Sequence, residues 1–322
     1  MSCLRFLSWM LVLFAPCLCA TALVSRTLEK RFPLDDSASP KVSLEVFHGS
    51  VLVETIDENE FRISIRQDFE ANNDQEADRI ARNLTLGVEC KDALLNISAE
   101  YSRDIHWTFE NWPPVKLAVV LKVPKCCGLD LFSRDGSITV NKMAGSMKAR
   151  THWGTIFFRG VDGDITAKSE FGNIVVSHCT GNLSLRSISG NFLVGPVQGM
   201  ADVFGYGGEI EVQSAGGGVK AETSGADLIV GFQHPIVSPA KLRTGGANII
   251  ITIDKRSSCS LDLKASMFGK VKFYKEGLPL DISSGAIGKG RVQATLNGSG
   301  PKIEARASGG HIYLQAAADS TP

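Results

Sequence analysis

Net charge is missing: 34 Lys and Arg offset 34 Asp and Glu. No bulk basic field therefore argues for a nucleic-acid partner. Aromatic residues are scarce, at 7% of the chain. Beyond Leu18 there is no apolar run of 18 residues, so no second membrane-spanning helix is expected. There is no C-x-x-C pair, which argues against a structural zinc site. Phosphate loops, nucleophile elbows and metal motifs are absent too, so no cofactor or metal is expected. Helical periodicity is confined to one short polar stretch, Asp74–Asn83, and nearly everything else has a two-residue period.

What is present begins with a leader. Arg5 precedes an apolar run from Phe6 to Leu18, and Ala20-Thr21-Ala22 supplies an A-x-A cleavage pattern. Residues 1–22 read as a removed signal peptide, placing the mature chain outside the cytoplasm. Neither Cys17 nor Cys19 has a good lipobox before it, so lipid anchoring is disfavoured. Five cysteines remain, Cys90, Cys126, Cys127, Cys179 and Cys259. An odd number leaves at least one thiol free, and a disulfide from Cys90 to Cys126 or Cys127 stays open. Residues 23–41 mix charge, Ser and Pro and read as a tether. Residues 42–124 read as a β-rich region carrying the short helix and a Trp107–Pro114 loop. Residues 125–315 read as a repeat domain, and 316–322 as a disordered tail.

The repeat is carried by glycine, which stands at 136, 145, 154, 163, 172, 181, 190, 199, 208 and 217. With glycine at 32 of 322 positions, nine further hits by chance are on the order of one in a billion, and a fixed short period marks a solenoid. The second position after each glycine is apolar throughout (Ile138, Met147, Ile156 and onward). So is the fourth (Val140, Ala149, Phe158 and onward). In a strand these two positions share one face, and one unit cannot bury that face without a stacked neighbour. The pattern continues at Leu228 and Val230 and returns as Val292-x-Ala294, Ile303-x-Ala305 and Ile312-x-Leu314. The seventh position separates odd from even units: Met143, Val161, Cys179, Val197 and Ala215 alternate with His152, Glu170, Ile188, Tyr206 and Ser224. That alternation predicts a two-strand coil of about 18 residues in an all-β, right-handed parallel β-solenoid, with Cys179 in its core.

The Gly-x-Φ-x-Φ units, the strand ending Val123-Pro124 ahead of the first repeat, and the terminal ARASGGHIYL carry a family likeness. Over roughly Val42–Gln315 the chain resembles bacterial β-strand-repeat proteins of unknown function that bear the provisional label of adhesins. The resemblance implies a non-enzymatic envelope protein and brings no catalytic residues with it.

The turns lack the Asp row that calcium-binding nonapeptide rolls require, and no Thr-x-Thr ladder of the ice-binding kind forms. A polysaccharide-active β-helix enzyme, the alternative reading, would need clustered carboxylates. Asp162 with Asp164, Glu209 with Glu211, and a His152–Glu170 pair are its candidates. Two outward ladders are the candidate binding features. Arg150, Lys168 and Arg186 set three cations on consecutive coils, suited to an anionic glycan or headgroup. Phe157, Val175, Leu193 and Ile229 make an apolar stripe interrupted by Glu211, to be covered by the 42–123 region, the favoured reading, or else by a second subunit or partner. The function expected is a non-catalytic exported β-solenoid, a structural or adhesin-like binding module of the cell envelope. An envelope glycan or surface protein is its expected partner.

Overall fold

The computed structural model describes residues 23–35, 39–102, 113–274 and 277–317. The proposed signal peptide, Trp107–Trp112 and the last five residues of the proposed tail lie outside them. The chain is nearly all strand. Its N-terminal part contributes β1 (Leu23–Pro33), β2 (Lys41–Ile56), β3 (Glu60–Glu70), helix α1 (Asp74–Ala81), β4 (Leu84–Lys91), β5 (Leu94–Tyr101), β6 (Val115–Pro124) and β7 (Gly128–Asp135). The repeat region supplies β8 (Ile138–Asn141), β9 (Met147–Trp153), β10 (Ile156–Arg159), β11 (Ile165–Ser169), β12 (Ile174–Val176), β13 (Leu183–Ser187) and β14 (Phe192–Val197). It continues with β15 (Ala201–Gly205), β16 (Ile210–Ala215), β17 (Val219–Thr223), β18 (Leu228–Phe232), β19 (Ala240–Thr244) and β20 (Ile249–Ile253). The last six are β21 (Cys259–Ala265), β22 (Val271–Phe273), β23 (Leu280–Gly285), β24 (Arg291–Leu296), β25 (Lys302–Ala307) and β26 (Ile312–Ala316).

Alternation builds two facing rows of strands. Inward side chains at the second and fourth unit positions are buried all along the repeat, and burial of that apolar area is the main favourable term. In the row called sheet A, Ile138, Ile156, Ile174, Phe192, Ile210 and Leu228 lie in parallel register at steps of 18 residues. In sheet B the same holds for Leu129, Met147, Ile165, Leu183, Ala201 and Val219. The eighteen-residue coil is therefore observed. Cys179 is fully buried and bridges Val161 and Val197 on adjacent coils. Its thiol donates to the Gly163 carbonyl at 3.1 Å, and burial pushes its pKa up to about 11.

The glycine period has a steric cause. A Cβ on Gly172 would overlap the backbone carbonyl of Gly154, and one on Gly190 that of Gly172. The corner is stacked so closely that only hydrogen fits there. Polar residues beside the glycines tie the coils together. Asn173 Oδ1 accepts from Asn191 N, and Asn191 Oδ1 from Glu209 N. At the other corner Asp164 accepts from Asn182 N, and Asn182 from Met200 N. Inside, Ser133, Thr151, Ser169, Ser187, Thr223 and Thr244 form a buried hydroxyl column. Ser169 and Ser187 accept from the N–H of Gly172 and Gly190. Turn N–H groups that would otherwise be orphaned are thereby satisfied.

Near each end the stack departs from chain order, and one coil is tucked inside its neighbours. β2 lies between β5 and β7 in sheet B and between β6 and β8 in sheet A. At the other end β25 lies between β19 and β21, and β26 between β20 and β22. The outermost coils are then closed by antiparallel additions: β3 and β1 beyond β6, β4 beyond β5, and β24 with β23 beyond β21. These additions cover much of the solenoid's open ends, which exposed strand edges would otherwise leave free to pair.

Several expectations change here. Residues 23–33, read as tether, form β1, because Val24, Leu28 and Phe32 pack on the core while charged residues between them hide the alternation. The 42–124 region does not precede the solenoid: β2, β5 and β6 are coils of it. Val292 and Ala294, read as a further unit, sit on the antiparallel β24. The predicted helix is present, with Asn73 Oδ1 capping Glu76 N at 2.9 Å. It seats on β3, four strands from Phe157 along sheet A, so it does not cover the apolar stripe. All five described thiols are free, including Cys90, Cys126 and Cys127.

Candidate functional site

The apolar stripe faces outward as predicted and is longer than predicted. In register it runs Val120, Leu52, Thr139, Phe157, Val175, Leu193, Glu211, Ile229, Ile250 and Tyr313. Phe157, Val175 and Ile229 are partly buried, and Leu193 is 40% exposed. Each side chain lies against its rung neighbours about 4.8 Å away. Stacking within the ladder thus supplies part of the burial that a separate cover was expected to give. Beside it, at the C-terminal ends of the sheet A strands, a cavity of about 740 Å³ is lined by Lys122, Lys142, Arg159 and His178 together with Glu54. Arg159 leans over the Phe157 ring at 5.8 Å.

The cationic ladder also occurs as expected, on the outer face of sheet B. Arg150, Lys168 and Arg186 are register partners on successive coils. Two of the three have carboxylate partners. Arg150 meets Asp130 at 3.2 Å and lies 5.6 Å from the Phe132 ring centroid. Arg186 meets Asp202 at 3.0 Å. Lys148 and Lys220 share the same two aspartates. Among the described residues Lys168 has no carboxylate within ion-pair distance. It lines a 270 Å³ hollow with Phe132, Arg150, His152 and Glu170.

Three residues beyond Arg150 and Lys168, the corner carries rings that the sequence reading passed over. Trp153 and Phe171 stack at 4.2 Å between centroids with 18° between planes, yet remain 52% and 47% exposed. Ile188 and Tyr206 are also exposed there, with Phe204 edge-on to Tyr206 at 5.0 Å. His152 sits edge-on to Phe132 at 5.4 Å and 3.7 Å from Glu170. The signal was in the sequence. Trp153 and Phe171 are the eighth residues of units two apart, and the row then steps down to Ser189 and Gly207. Phe171 therefore borders a shelf of small residues rimmed by Ile188 and Tyr206.

Of the carboxylates considered for glycan cleavage, the Asp162 and Asp164 pair has structural partners. Asp164 caps the Asn182 N–H at 2.7 Å, and Asp162 lies 3.7 Å from Lys125. Ser257 Oγ approaches His234 Nδ1 at 3.4 Å, but Ser257 is fully buried and Asp254 is held by Arg256. That leaves no accessible nucleophile at this pair.

No family model matches the chain, and no curated protein matches it in sequence. Solved structures do. A protein from Clostridium sporogenes, provisionally named a cell adhesion protein, aligns with 91% of this chain and 100% of its own, at 11% identity and a TM-score of 0.21. One from Parabacteroides distasonis, provisionally named a lipid binding protein, covers 91% and 97% at 15% identity and TM-score 0.42. One from Bacteroides fragilis, provisionally named an adhesin, covers 91% and 97% at 10% identity and TM-score 0.37. At these identities and scores the likenesses say nothing of what this chain binds.

Proposed function

We propose that the chain is an exported, non-catalytic, adhesin-like module that holds an acidic glycan of the cell envelope along the corner between sheets B and A. The observation that carries this reading is the half-exposed Trp153–Phe171 stack beside the Arg150–Lys168 rungs. Aromatic faces offer large rigid contact area at low entropic cost, and Lys168 supplies a cation not committed to a carboxylate among the described residues. The coil period sets the two rings on adjacent coils beside cations on three successive ones, which suits an extended polymer.

Affinity electrophoresis through gels containing alginate or neutral dextran tests it. Retardation by alginate alone is expected, weakening with salt and lost in Trp153→Ala and Lys168→Ala. Loss in Lys142→Ala with Arg159→Ala instead would move the site to the sheet A cavity. Absence of retardation would refute an alginate-like ligand. Release of reducing ends during incubation would favour the polysaccharide-active enzyme.

A further inference from the structure

The end coil carries a feature that neither ladder explains. Between β21 and β22 the chain turns through Ser266-Met267-Phe268-Gly269. Met267 takes a φ of 56°, a left-handed conformation that an L-residue with a side chain rarely adopts. Its side chain is 82% exposed and that of Phe268 is 92% exposed. Backbone contacts hold the turn on all sides. Gly269 N donates to Ser266 O at 3.0 Å, Ser266 N to Ala307 O at 2.8 Å, Ala265 N to Gly290 O at 2.8 Å, and Lys270 N to His311 Nδ1 at 3.0 Å. The turn is a convex tip with a fixed backbone and two large apolar side chains held in water.

Cations surround the tip. Lys264 and Lys270 flank it in sequence, and the neighbouring turn brings Lys289 and Arg291. Lys264 and Arg291 are register partners, and Lys289 O accepts from Val271 N. All four are exposed, and among the described residues none makes an ion pair. Lys272 follows on β22, 5.9 Å over the Tyr313 ring. The nearby Asp262 is already bound by Arg306 and Lys302 at 2.9 and 3.1 Å. Asp281 lies toward the far end of β23, paired with Thr295.

We infer that this end of the solenoid docks on a phospholipid bilayer bearing acidic headgroups, with Met267 and Phe268 inserted among the acyl chains and Lys264, Lys270, Lys289 and Arg291 on the headgroups. A bilayer interface takes a convex apolar tip without requiring a complementary pocket. A ring of basic residues at the interface adds the electrostatic attraction that a short apolar anchor needs for stable binding. The site is separate from the glycan corner, so end-on docking would leave Trp153 and Phe171 free to face away from the membrane.

Cosedimentation with sucrose-loaded vesicles tests this directly. The chain is expected to partition onto phosphatidylcholine–phosphatidylglycerol vesicles, and not onto phosphatidylcholine alone. Met267→Ser with Phe268→Ser, both fully accessible positions, should weaken binding about tenfold or more. Lys270→Glu with Lys289→Glu should do likewise and remove the salt dependence. A Phe268→Trp variant should show a blue-shifted emission quenched by brominated acyl chains. Equal binding of the serine variant, or no binding to acidic vesicles, would overturn the proposal. So would a dimer in sedimentation equilibrium that the serine variant dissolves, since the tip would then be a contact between copies.

Discussion

Replacing Gly172 by alanine puts the stacking geometry to a quantitative test. The added methyl would fall within the van der Waals radii of the Gly154 carbonyl carbon and oxygen. Backbone cannot rotate away as a side chain can, so the two coils must part by roughly an ångström or more. That movement strains the Ile156 N–H to Asn173 O bond and the Phe171 N–H to His152 O bond, 2.9 and 3.0 Å long, and an added ångström ends a hydrogen bond. Overpacking costs about 1–3 kcal/mol and two weakened bonds about 1–2 kcal/mol. Reduced freedom of the unfolded chain returns about 0.4–1 kcal/mol. The net expectation is a loss of about 2–4 kcal/mol. Gly225→Ala is the control, since the nearest atom to its Cβ is Tyr206 O at 3.9 Å, and it should change stability by less than about 0.5 kcal/mol. Urea unfolding followed by circular dichroism, compared at constant m, gives both numbers. A Gly172→Ala protein within about 1 kcal/mol of wild type would refute a steric origin for the nine-residue glycine period.

Native thiol labelling at pH 8 should modify Cys126, which is exposed, and spare Cys127, Cys179 and Cys259, whose burial pushes their pKa values up to about 12, 11 and 11. Cys179→Asp should cost several kcal/mol in the same urea assay by placing a carboxylate in the core. Asp262 is held down to about 2 from an ordinary 3.8, chiefly by Arg306 and then Lys302. Its folded value is depressed, so its contribution is complete above about pH 4 and disappears as pH falls through about 2. In acid titrations Asp262→Asn should therefore flatten the stability loss across that window.

The coil and its two buried columns were legible because a glycine clash and an inward apolar pair recur at every turn and leave the same mark each time. What was not legible has local causes. β1 hides its apolar face between Arg26 and Lys30, since an edge strand needs only half a buried side. The tucked ends follow from which coil meets which, and an Ile-x-Ala unit at 303–305 reads alike wherever it stacks. The rungs of the basic ladder were readable. Their neutralisation by Asp130 and Asp202 was not, because those carboxylates lie on different strands from Arg150 and Arg186. The stripe was readable too, but treating each side chain as isolated overstated its exposure, since rung neighbours shield it. The Met267–Phe268 tip lies where the period fails, and no column argument reaches it.

Coil order underlies every surface row described above, and a paired-cysteine crosslink tests it most directly. In a Cys126→Ser background, Lys241→Cys with Glu304→Cys places thiols on register partners of adjacent strands β19 and β25. Arg243→Cys with Lys264→Cys places them two strands apart, with Arg306 between. Oxidation followed by peptide mass mapping should give a 241–304 disulfide and no 243–264 disulfide, since cysteines more than about 7 Å apart do not bridge. A 243–264 bond without a 241–304 bond would mean that the coils stack in simple chain order, and the tucked C-terminal coil would be wrong.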